Sequence, residues 1–145
     1  MILKYKTIDT DNFILVAPFV YEWEKNGLQY RISIPPGFVF DGASTPKWWW
    51  FKKLTGLWPD KKQIIRGALV HDWIYSWSRR SSGDRSFLPE GSYQYCSNKI
   101  WVNMIAGWSR DKADRIFFRI CRQDGLKRSR TAWYGVRAFG WLSWG

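Results

Sequence analysis

A single histidine stands in this chain, within Val70-His71-Asp72, and Tyr75 follows it by one helical turn. Ile64, Ala68, His71 and Tyr75 fall at i, i+4, i+7 and i+11, the spacing of one apolar face of an amphipathic helix. An imidazole on such a face is costly to bury unless its nitrogens find partners. The sequence offers two carboxylates that border apolar runs: Asp41, in Phe40-Asp41-Gly42-Ala43-Ser44, and Asp114, in Arg110-Asp111-Lys112-Ala113-Asp114. The functional question is whether these groups converge.

If they do, the chemistry is general-base catalysis, with His71 acting on water while a carboxylate from another helix, such as Asp114, fixes its tautomer. Consecutive helical residues point about 100° apart, so Asp72 does not hold its neighbour and is left for a second task. That task is binding a hard divalent cation, calcium or magnesium, with Asp41 and the backbone carbonyls of the Gly42 turn as further oxygen ligands. Zinc is poorly served by one imidazole without paired thiolates. The bland alternative stays open: His71 donates to a buried carboxylate and ties two helices together, and Asp41 is an ordinary turn residue.

The elements that must position these residues can be read from the sequence. Phe13-Ile14-Leu15-Val16, Phe19 to Trp23 and Leu28 to Ile34 read as strands, with Asn26-Gly27 as a hairpin turn. After Pro35-Pro36-Gly37, the extended piece Phe38-Val39-Phe40 delivers Asp41 to a strand end. Pro59-Asp60 opens a helix that runs to about Ser78. Tyr93, Cys96, Ile100, Met104 and Gly107, spaced at three to four, predict a second helix. Ser109 caps the next one, which carries an apolar stripe of Ala113, Ile116, Phe117, Ile120 and Cys121, has Asp114 at the margin of that stripe and stops at Gly125. The aromatic tail from Ser129 to Trp144 predicts a last helix, and Trp48-Trp49-Trp50-Phe51 reads as core or, alternatively, as a docking edge. The expected fold is α+β: an N-terminal antiparallel sheet followed by three to four packed helices. At 145 residues the chain is the size of one domain, β-rich over 1–45 and helical over 59–145, with an insert at about 80–107.

The net charge of +11 is lopsided, because residues 1–60 carry seven Lys/Arg against six Asp/Glu and residues 61–145 carry sixteen against six. Arg119, Arg122, Lys127, Arg128 and Arg130 form the densest cluster and are the candidate anion-binding residues. With twelve Trp in the chain, such a surface suits an anionic ligand (nucleotide, nucleic acid or lipid headgroup) or a protein partner. A solvated basic face explains the charge equally well. Two cysteines make no disulfide framework, which suggests a reducing compartment. The N-terminus carries no signal-peptide pattern, and no apolar run approaches membrane-spanning length.

Four motifs together resemble a known family. Ile34-Pro35-Pro36-Gly37-Phe38-Val39-Phe40-Asp41-Gly42-Ala43-Ser44-Thr45-Pro46, Val70-His71-Asp72-Trp73-Ile74-Tyr75, Arg110 to Phe117 and Tyr134-Gly135-Val136-Arg137-Ala138-Phe139-Gly140 resemble, in order, an uncharacterised domain-of-unknown-function family of bacteriophages and prophages. The likeness covers roughly residues 28–145, departing at Trp73-Ile74 and in the insert. It implies a phage or prophage origin, in the host cytoplasm or the virion, and not an activity. The residues themselves leave two readings: a non-catalytic virion or tail component or host-interaction factor, or alternatively a metal-assisted hydrolase. More locally, HDxxY followed by AD on a second helix is similar to the catalytic helices of secreted and parvovirus-type phospholipases A. That similarity implies His71 as base, Asp72 as calcium ligand, Tyr75 as a supporting hydroxyl and Asp114 as the carboxylate orienting His71. The glycine-rich calcium loop of those enzymes is missing, and Asp41-Gly42 would have to replace it.

Overall fold

The structure is a computed structural model, and it describes residues 2–9, 12–41, 61–79 and 85–125. Five strands come first: β1 (Tyr5–Thr7), β2 (Asn12–Leu15), β3 (Phe19–Lys25), β4 (Leu28–Ile34) and β5 (Val39–Asp41). Helix α1 (Lys61–Ser76) follows, then the short strands β6 (Ser78–Arg79) and β7 (Arg85–Ser86). The hairpin strands β8 (Tyr93–Ser97) and β9 (Ile100–Asn103) lead through β10 (Trp108–Ser109) into helix α2 (Arg110–Gln123).

The strands form antiparallel sheets in the orders β1-β2-β5, β3-β4-β8-β9 and β10-β7-β6. The β3–β4 turn adopts positive φ at Asn26 (53°) and Gly27 (77°), the conformation that matches strand twist in a two-residue hairpin. Alternation then places Phe19 and Tyr21 of β3 and Ile32 and Ile34 of β4 in the core.

The mixed architecture and the N-terminal antiparallel strands match expectation, whereas the count of three to four helices does not: two helices occur among the described residues. The second expected helix is instead the β8–β9 hairpin, paired from Gln94↔Asn103 to Ser97↔Ile100. Its turn holds Asn98 (φ 50°) and Lys99 (φ 65°) in the left-handed region without a glycine, so the usual hairpin signature is missing. The helix-like spacing from Tyr93 to Met104 is incidental to two strands whose residues are half-buried or exposed. The expected tail helix, the Trp48-Trp49-Trp50-Phe51 run and residues Lys127, Arg128 and Arg130 lie outside the described residues.

Helix α1 is the centre of the fold rather than a one-sided amphipathic helix. Between Ile64 and Tyr75, all residues except Arg66 and Asp72 are buried. Trp73 donates from Nε1 to Ser92 Oγ at 2.9 Å, and Ser92 Oγ donates to the Ser33 carbonyl at 2.8 Å, which fastens α1 to the large sheet. On its other side α1 runs antiparallel to α2, and Gly67 sets their separation. A Cβ at position 67 would lie 2.8 Å from Cys121 Sγ and 3.1 Å from the Phe117 carbonyl oxygen. Gly67→Ala is therefore expected to force the helices apart at a cost of roughly 1–3 kcal/mol, read as a lower urea midpoint at unchanged slope.

Candidate functional site

Gly67 and His71 lie one turn apart on the α1 face that meets α2, so the close approach permitted by Gly67 also brings His71 to its partner. On α2, Ser109 caps the N-terminus by accepting from Lys112 N at 3.2 Å, and Gly125 (φ 95°) ends the helix as expected. Between these caps, Ala113, Asp114, Ile116, Phe117, Ile120 and Cys121 are buried. Asp114 is thus inside the apolar stripe, with 0% exposure, and not at its margin.

His71 Nε2 and Asp114 Oδ1 are 2.9 Å apart, and the Tyr75 hydroxyl donates to the same oxygen at 2.5 Å. A carboxylate only accepts, so the imidazole proton sits on Nε2 and the Nδ1 lone pair is left for other chemistry. Nδ1 faces Asp72, whose Oδ1 is 3.8 Å away, too far for a direct hydrogen bond but close enough for its charge to act. Tyr75 lies against the imidazole with ring centroids 3.9 Å apart, and Phe117 closes another side at 5.4 Å. Arg110 Nε lies 3.9 Å from Asp114 Oδ2.

Opposing effects act on His71. Burial disfavours the imidazolium, but the hydrogen bond to Asp114 and the Asp72 carboxylate outweigh it, and the pKa rises above the ordinary histidine value of 6.5. Tyr75 is held firmly neutral by burial and by the adjacent Asp114, so it remains a hydrogen-bond donor. Burial pushes the Cys121 thiol up to about 12, which removes it as a nucleophile.

His71, Tyr75, Asp114 and Asp72 thus lie together between the two helices. The backbone of Asp41 ends β5 opposite Asn12, in a strand that packs against α1, but its carboxylate is not among the described groups. Among the described residues, no group of three or more His, Cys, Asp or Glu side chains is placed to hold a metal ion. The described donors do not amount to a calcium or magnesium site.

The chain belongs to the family described as protein of unknown function (DUF1353). The match spans residues 13–136, beginning in β2 and taking in Asp41, His71 and Asp114. No curated protein and no solved structure matches the chain. No helix among the described residues is long and apolar enough to cross a membrane.

Within the DUF1353 span, sequence reasoning missed a second feature, an open groove of about 620 Å³ between the large sheet and α2. Trp23, Tyr30 and Tyr93 line one side, and Lys112, Arg115 and Arg119 line the other. Of the five expected anion-binding residues, Arg119 lies in this groove and Arg122 is exposed on the last turn of α2. The signal was present as basic residues at 112, 115, 119 and 122, the spacing of one helix face.

Proposed function

We propose that the protein is a small hydrolase in which His71 is the general base toward water and the substrate is an ester of an anionic lipid or another phosphate-bearing molecule. The observation that carries this reading is the bond from His71 Nε2 to the fully buried Asp114, reinforced by Tyr75, which leaves Nδ1 as the basic atom beside Asp72. Nδ1 takes a proton from water, the resulting hydroxide adds to the ester carbon or phosphorus, and the proton passes to the leaving alkoxide. Asp114 keeps the ring in the productive tautomer and stabilises the imidazolium formed on the way. This arrangement agrees with the local similarity to phospholipase A helices, in which the same four residue types appear in the same order. The four-motif resemblance supports a phage or prophage origin, with the protein acting in the host cytoplasm or the virion.

The test is release of fatty acid from phosphatidylglycerol vesicles, run beside hydrolysis of bis(p-nitrophenyl) phosphate, with and without added calcium. Turnover of either substrate that disappears in a folded His71→Gln variant supports the reading. No turnover of either, or turnover that His71→Gln leaves intact, counts against it. One observation favours a second reading, a non-catalytic virion, tail or host-interaction protein: His71 is only 6% exposed, as suits an internal tie between helices. In that case His71→Gln changes stability alone.

A further inference from the structure

The groove beside α2 lies on the opposite flank of that helix from Asp114 and takes no part in the chemistry of His71. One of its walls is a set of rings on neighbouring strands. Trp23 of β3 stacks with Tyr30 of β4 at 5.6 Å and 19° and with Tyr93 of β8 at 6.0 Å and 8°. All three are half-buried and line the groove. The opposite wall is a cationic stripe. Lys112, Arg115 and Arg119 are exposed on one face of α2, and Lys25 joins them from the end of β3. Among the described residues, no acidic side chain lines the groove.

Two features define the ligand. Flat, near-parallel rings bind a planar partner by stacking, and nucleobases provide that without regard to sequence. The run from Lys112 to Arg119 covers about 10 Å of helix axis, longer than a single phosphate needs, so it matches successive phosphates of a chain. Arg115 bonds to Asp111 at 2.7 Å and Arg119 reaches the Glu24 carbonyl at 3.3 Å; both are exposed contacts that a phosphate can displace.

From this juxtaposition we infer that the groove between Trp23, Tyr30 and Tyr93 and the Lys112–Arg115–Arg119 stripe binds single-stranded nucleic acid, with bases against the rings and phosphates along α2. This binding site is separate from the proposed hydrolytic site, and either can fail without the other.

The test is fluorescence anisotropy of a short labelled oligothymidylate titrated with the full chain across a series of salt concentrations. Four cations on four phosphates give a slope of log affinity against log salt of about −3. Arg115→Ala and Arg119→Ala, both exposed, should each flatten it by about 0.7 without loss of fold. Tyr30→Ala should weaken binding about 5- to 150-fold while leaving the slope unchanged. If Tyr30→Ala disturbs the sheet, the two arginine variants decide. Absence of binding at low salt, equal affinity for duplex of the same length, equal affinity for a mononucleotide, or a slope the arginine variants do not change would each overturn the inference.

Discussion

Asp114→Ala is expected to lower the unfolding free energy by about 3–5 kcal/mol, the cost of breaking a buried charged pair by removing one partner. The carboxylate is fully buried and accepts from both His71 and Tyr75, so its loss removes a hydrogen-bond acceptor from a buried imidazole and a buried phenol at once. Typical domain stabilities are about 5–15 kcal/mol, so a loss of this size should be plain in a urea titration followed by circular dichroism. A triple variant, His71→Leu, Tyr75→Phe and Asp114→Leu, should recover most of the loss, because the penalty comes from unpartnered polar groups and apolar side chains remove it. A cost below about 1 kcal/mol for Asp114→Ala would show that the carboxylate is not engaged as described.

The second large effect is on rate. If His71 is the base, His71→Gln should lower kcat by about 10²- to 10⁴-fold with little change in KM, since a general base acts in the transition state. The pH dependence follows from the same contacts. The neutral imidazole is the active form and its pKa lies above 6.5, so activity should rise with pH and reach half its maximum above 6.5. Stability should run the other way. The charged His71–Asp114 pair contributes fully below the unfolded histidine pKa of about 6.5, and this contribution is lost as pH rises through the higher folded value. Thermal unfolding of the wild type and His71→Gln across that window should therefore converge on the alkaline side. A rate profile half-maximal below 6.5 would contradict the raised pKa.

Much of the site was legible because helix spacing is a strong signal. Counting from Ile64 placed His71 and Tyr75 on the inner face, and Ser109 and Gly125 bounded α2 through their own cap chemistry. Spacing could not choose between Asp41 and Asp114 as the partner of His71, because that choice depends on how closely the two helices approach, and Gly67 decides it. The depth of Asp114 was misread for a related reason: a carboxylate is assigned to the margin of a stripe until its partners are known. The β8–β9 hairpin was missed because Asn98-Lys99 lacks glycine and its flanking residues imitate a helical repeat. The groove was missed because its rings come from β3, β4 and β8, which only sheet pairing brings together.

Because the chain has one histidine, its imidazole signals are unambiguous, and nitrogen-15 NMR of that ring through a pH titration tests the base assignment most directly. The expected result is a neutral form protonated on Nε2, with a midpoint above 6.5 that falls in Asp114→Asn. A ring protonated on Nδ1, or a midpoint that Asp114→Asn leaves in place, would contradict it.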